Sequence, residues 1–136
     1  MSLVLDASVA LAFLYRDEAG ALPDRIFRQV AASRAVVPSL WRLEVANALN
    51  AGVRRKRIDR AFRDAALADL GALQIVVDHE TDGQAWTGIL ALADRHGLSV
   101  YDAAYLELAG RLGLPLASLD AELVAAAREA GVAVLA

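Results

Sequence analysis

The sequence predicts an α/β protein, a three-layer α/β/α sandwich built on a five-stranded parallel sheet. Five short apolar runs, mostly β-branched or leucine, recur along its 136 residues, and helix-like stretches separate them. Gly71, Gly97, Gly113 and Gly131 also fall where helical periodicity stops, as expected of residues just past a helix end.

The first run, Leu3–Leu5, ends at Asp6. A helix over 7–16 follows, with Val9, Leu11, Phe13 and Leu14 spread around it. Apolar character on nearly every side predicts that another chain covers part of this helix. A second helix spans 21–33, and the run Ala35–Val37 then stops at Pro38, outside any helix interior. Helix 39–55 carries the apolar stripe Trp41, Val45, Ala48 and Leu49. Helix 59–71 leads to the run Leu73–Val77, and helices 82–96 and 101–112 precede Leu116–Leu119. Helix 121–130 and the run Val132–Leu135 complete the alternation. Runs apolar on both faces suit a buried parallel sheet. Right-handed crossovers place every strand's C-terminal end on one side, where open α/β sheets bind ligands. No repeat, low-complexity tract or linker interrupts the pattern, so residues 1–136 are read as one domain.

Composition narrows the class. The hydrophobic fraction is 57% and mean hydropathy +0.40, yet no apolar stretch approaches the ~20 residues that span a bilayer. The first residues lack the basic segment of a secretory signal and meet an acid at Asp6. Cysteine is absent, which excludes disulfides and thiolate metal sites. A cytoplasmic domain without a membrane segment fits, with the apolar surplus assigned to contacts between chains. Net charge is −3, and setting aside the four carboxylates discussed next leaves +1. Arg54, Arg55, Lys56, Arg57, Arg60 and Arg63 form a local basic cluster. It suits phosphate contacts, or equally a solvated helix end favoured by the helix dipole.

Four acids stand where apolar runs end or helices begin. Asp6 and Asp120 close the first and fourth runs, Asp102 opens helix 101–112, and Glu44 lies inside helix 39–55. Each has an ordinary explanation: Asp6 and Asp120 as N-caps, Ser99 to Asp102 as a capping box, and Glu44 as a solvated flank. Together they suggest more. Like charges about 4 Å apart repel by roughly 4 kcal/mol at an effective dielectric of ~20, and a divalent cation relieves that repulsion. Asn47 shares a helical face with Glu44 and adds an oxygen donor. Oxygen donors without histidine or cysteine suit Mg²⁺ or Mn²⁺. His79 and His96 lack a metal-binding partner and are expected to be exposed at helix ends, while Trp41 and Trp86 are expected to pack in a core or interface.

Four segments carry a resemblance: Val4-Leu5-Asp6-Ala7-Ser8, Glu44-Val45-Ala46-Asn47-Ala48-Leu49, Tyr101-Asp102-Ala103-Ala104-Tyr105-Leu106 and Ser118-Leu119-Asp120. In that order they resemble the PIN-domain family, and within it the VapC-type toxins of bacterial toxin–antitoxin modules. The resemblance covers essentially the whole chain. It implies a Mg²⁺- or Mn²⁺-dependent endoribonuclease that leaves a 5′-phosphate and a 3′-hydroxyl. It also implies a homodimer and an antitoxin that covers the acidic site. Asp6, Glu44, Asp102 and Asp120 carry over as the acidic quartet, with Asp6 and Asp102 as direct ligands. Ser8 and Ser118 match hydroxyl positions, the second usually threonine.

The rivals are weaker. A receiver-like phosphoacceptor domain needs an acidic pair after the first strand and a lysine after the fifth, but the chain's only lysine is Lys56. A haloacid-dehalogenase-like phosphatase needs an aspartate where Ser8 stands, and no phosphate-binding glycine motif is present. A non-catalytic interaction module, with the acids as caps, is the remaining alternative.

Overall fold

The computed structural model describes residues 2–15 and 20–136. Its strands are β1 (Leu3–Leu5), β2 (Ala35–Val37), β3 (Ile75–Val77), β4 (Leu116–Ala117) and β5 (Val134–Leu135). They form one parallel sheet in the order β3-β2-β1-β4-β5. The helices are α1 (Ala7–Leu14), α2 (Ala21–Ala32), α3 (Trp41–Arg54), α4 (Arg60–Gly71), α5 (Thr81–Gln84), α6 (Leu90–His96), α7 (Val100–Leu112) and α8 (Ala121–Glu129). The C-terminal end expected for the first helix, at Arg16, lies outside the described residues.

Chain order fixes the layers. From β1 the chain steps outward to β2 and β3, then crosses back to β4 and continues to β5. With right-handed crossovers, α1 to α4 cover one face and α5 to α8 the other. The reversal lies between β1 and β4, which pair through Val4 with Leu116 and Leu5 with Ala117. Crevices of this kind open beyond the carboxyl ends of the strands.

Burial on both faces holds only for the central strands. Leu3, Val4, Leu5, Ala35, Val37, Leu116 and Ala117 are fully enclosed, whereas edge-strand Val76 is 44% exposed. The expected runs shorten to Ile75–Val77 and Val134–Leu135 in the edge strands, which have one neighbour each. In β4 the run shortens to Leu116–Ala117, where Ser118 turns its hydroxyl to Asp6. The first helix is mostly covered within the chain, with Leu11 and Phe13 left partly exposed. Ala7, Val9, Ala10, Ala12 and Leu14 are buried, and Phe13 stacks on Phe27 of α2 with ring centres 4.2 Å apart.

Three of the four glycine stops have the expected left-handed backbone: Gly97, Gly113 and Gly131. Gly71 does not; it is the last residue of α4, and Ala72 beyond it stays right-handed. Instead, Lys56 takes the left-handed position after α3, with φ 59°. Its N–H reaches Val53 O at 3.0 Å, and the Arg57 N–H reaches Gly52 O at 2.9 Å. That is a Schellman closure made without glycine. The helix expected over 82–96 also contains a π turn at Ala85–Ile89. Trp86 on that turn is 91% exposed, so it is not a core residue, while Trp41 is buried. His96 is likewise enclosed rather than exposed: its side chain is 2% accessible, with Nδ1 3.8 Å from Glu129.

Asp78, after β3, is tied to α7. Arg111 donates to Asp78 at 2.7 Å, to Glu80 at 3.0 Å and to Glu107 at 2.7 Å. Burial alone would raise the Asp78 carboxyl, but the Arg111 and Thr81 hydrogen bonds hold it below its ordinary value. Its contribution to stability is therefore present above the ordinary carboxylate range and lost as pH falls through its lowered value. Arg111→Ala leaves Asp78 and Glu107 without their cation and is expected to cost about 2–3 kcal/mol in urea unfolding. A midpoint unchanged from wild type would refute this role.

Candidate active site

The central strand delivers the first carboxylate. Asp6 follows Leu5, and its N–H is fixed by Ala117 O of β4 at 3.0 Å. Its side chain is nearly enclosed, at 6% exposure. Two hydroxyls converge on one of its oxygens: Ser8 donates at 2.7 Å and Ser118 at 2.8 Å. Each serine also accepts from the loop after β4, Ser8 from the Leu119 N–H at 3.1 Å and Ser118 from the Asp120 N–H at 3.0 Å. Two small polar residues thus join the ends of β1 and β4 through one carboxylate.

The other acids come from three helices. Asp120 caps α8, accepting from the Leu123 N–H at 3.0 Å, which fixes its rotamer. Asp102 lies in the first turn of α7, where Ser99 accepts from its N–H at 3.1 Å. Glu44 lies in the first turn of α3 and accepts a short hydrogen bond from the Tyr105 hydroxyl. Asp6 occupies the N-cap position of α1 but makes no side-chain capping bond, so its carboxylate is not used as a cap.

All four acids line one cavity of about 340 Å³, together with Ala7, Ser8, Leu11, Asn47 and Ala48. Ser118 is wholly buried beneath it and acts through Asp6 and Asp120. Among the described residues, no lysine, arginine or histidine pairs with any of the four acids. Tyr105 lies within the Tyr101–Leu106 motif but is not among the expected site residues, yet it orients Glu44. Its position three residues after Asp102, on the same helical face, is the signal that could have identified it.

Charge coupling follows from this convergence. Burial raises the Asp6 carboxyl above its ordinary value; the two serine hydroxyls pull it back and the Asp120 charge adds to the rise. Burial likewise raises Glu44, opposed by Tyr105 and reinforced by Asp6 and Asp102. Asp102 is raised by burial and by the charges of Asp120 and Asp6. Burial and Glu44 push the Tyr105 phenol up, so it remains a donor. These oxygen donors suit a hard divalent cation. Among the described residues, however, no three acidic or histidine side chains are grouped closely enough to hold an ion by themselves. Magnesium sites commonly use one or two carboxylates completed by water and phosphate oxygens, and this open arrangement fits that type.

Comparison with known proteins agrees with the fold. The PIN domain family matches residues 3–129, and this chain belongs to that family. It is 32% identical over 123 residues to Ribonuclease VapC3 of Pyrobaculum aerophilum, covering 90% of this chain and 92% of the relative. It is therefore similar to a VapC-type member. The crystal structure of PAE2754 from Pyrobaculum aerophilum superposes with a TM-score of 0.70 at 26% identity, covering 99% of this chain and 92% of that one. VapBC2 from Rickettsia felis, bound to a promoter DNA fragment, gives 0.69 at 11% identity, with 98% and 97% covered. FitAcB from Neisseria gonorrhoeae gives 0.67 at 16% identity, with 100% and 97% covered.

Two outcomes test the site. Ser118→Ala is expected to lower stability by about 1–2 kcal/mol, because it removes a donor to Asp6 and strands the Asp120 N–H, whereas Ser118→Thr keeps both bonds. Equal unfolding midpoints for the two variants would contradict that account. Because Asp6, Glu44 and Asp102 hold protons more tightly folded than unfolded, their contribution is full below about pH 4 and is lost as pH rises through their raised values. Metal-free protein is therefore expected to unfold at lower urea concentration at pH 7.5 than at pH 5, with Asp6→Asn narrowing the gap. Midpoints independent of pH would count against the coupling.

Proposed function

We propose that this protein is a Mg²⁺- or Mn²⁺-dependent endoribonuclease, the toxin of a VapBC-type toxin–antitoxin pair. One observation carries the reading: four carboxylates from separate elements line one cavity at the sheet's switch point, without a cation to balance them among the described residues. The ribonuclease name of the 32% identical relative supports the reaction class. Hydrolysis of an RNA phosphodiester then leaves a 5′-phosphate and a 3′-hydroxyl.

In this reading Asp6 and Asp102 would hold the cation directly, and Glu44 and Asp120 would complete the ring through water. When bound, the cation supplies Lewis-acid activation of a water and neutralises charge developing on the phosphate. The chain's own residues set geometry. Ser8 and Ser118 keep one Asp6 oxygen engaged and fix its rotamer. Tyr105 aims Glu44, the capping bond to Leu123 aims Asp120, and Asn47 offers an amide on the face it shares with Glu44. Rigid placement by such supporting bonds is what makes the positioned charges effective.

An antitoxin that covers the acidic cavity and a second copy of the toxin belong to the same proposal. Leu43, Trp86 and Tyr101, at 75%, 91% and 66% exposure, offer apolar surface for such partners. No helix among the described residues is long and apolar enough to cross a membrane.

Asp6→Asn decides the catalytic assignment. It is expected to slow cleavage of a labelled RNA in Mg²⁺ or Mn²⁺ by about a thousandfold, roughly 4 kcal/mol, while the circular dichroism spectrum stays native. Cleavage at the wild-type rate would remove Asp6 from the chemistry.

A further inference from the structure

The acidic cavity does not end at its acids. A second cavity of about 320 Å³ is lined by Leu11, Tyr15, Ala48, Ala51, Arg55 and Arg57, among others. Leu11 and Ala48 line both, so the two are successive parts of one groove running along α3. Glu44, Asn47, Ala48, Ala51 and Arg55 stand at i, i+3, i+4, i+7 and i+11, the spacing of a single helical face. One end of that face is acidic, the middle uncharged and the far end basic.

The basic end is built. The Schellman closure at Lys56 turns the chain back over α3 and sets Arg57 above the Tyr15 ring, 4.1 Å from its centre. Tyr15 in turn lies against Gly52, where an added Cβ would collide with the tyrosine hydroxyl. Arg55 is exposed, and among the described residues its side chain makes no hydrogen bond or ion pair. A solvated helix end would not need a groove leading from it to the acids.

Resting on the nuclease reading, we propose that this groove is the track for a single RNA strand and that Arg55 is a positioning residue for a phosphate remote from the cleaved bond. Arg57, braced on the Tyr15 ring, stands beside it at the same end of the groove. Charge complementarity selects a polyanion for the basic end, and the uncharged middle over Leu11, Ala48 and Ala51 accepts riboses or bases. From Glu44 to Arg55 the track is about 16 Å long, at about 1.5 Å of rise per residue. A stacked strand, at about 3.4 Å per nucleotide, needs about five nucleotides to span it. A dinucleotide seated at the acids cannot reach Arg55.

The test compares wild type, Arg55→Ala, Arg55→Lys and, as a charge-matched control outside the groove, Arg95→Ala. Substrates are a single-stranded RNA decamer and a dinucleotide. Arg55→Ala is expected to raise KM for the decamer about tenfold with kcat within about twofold. The wild-type preference for decamer over dinucleotide in kcat/KM should shrink by the same factor. Arg55→Lys should recover part of the loss, since it keeps the charge without the planar fork. Decamer binding by metal-free protein, read by fluorescence anisotropy, should weaken, and its log–log salt slope should fall by about 0.7, the share of one phosphate on a single strand. Equal losses on decamer and dinucleotide, or equal effects from Arg95→Ala, would overturn the proposal, as would unchanged binding. So would an Arg55→Ala protein that keeps the decamer but loses a poly-glutamate peptide, which would give the basic end to a protein ligand. Binding that depends on Arg55 in a protein that cleaves neither substrate would support the track and sink the nuclease reading.

Discussion

The structure turns on a carboxylate that the fold has taken out of water at the end of its central strand. Asp6 is almost wholly enclosed and has no basic partner among the described residues. Two serine hydroxyls compensate its burial, and both are anchored by N–H groups of the β4–α8 loop. That network closes the switch point of the sheet and ties Asp120 to Asp6. A buried acid bonded only to neutral donors remains costly to ionise. In the proposed function a divalent cation would supply the counter-charge.

The surrounding packing gives that network a rigid frame. β1 pairs on both sides, and α7 lies against both β1 and β4 while carrying Asp102 and Tyr105. The Arg111 ion pairs hold the far end of α7 to the turn after β3. Helix α3 is placed by buried Trp41, Val45 and Leu49, leaving the opposite face, with Glu44 at one end and Arg55 at the other, along the groove. One helix therefore connects metal-compatible chemistry to phosphate-compatible charge.

Much of the fold was legible in the residues. β1 and β2 begin and end as their apolar runs suggest, because a fully enclosed parallel strand needs apolar side chains on both faces. The apolar runs at β3, β4 and β5 extend beyond the strands, since an apolar run does not reveal where pairing with its neighbours stops. The π turn at Ala85–Ile89 and the left-handed Lys56 escaped notice, as neither changes apolar periodicity. Gly71 misled for the converse reason: glycine permits a left-handed stop without requiring one. His96 was misplaced because it sits near a helix end, where only the packing of α8 beside it determines access to water.

The sequence by itself determined the alternation of strands and helices, the family, and which four acids stand at element boundaries, because these depend on residue type and local spacing. Tertiary structure alone decided that those acids share a cavity, that Ser118 works from beneath it, that Tyr105 holds Glu44, and that a groove joins Asp6 to Arg55. Such facts depend on strand order and crossover direction, which bring residues more than a hundred positions apart into hydrogen-bond contact. No local pattern encodes the distance between them.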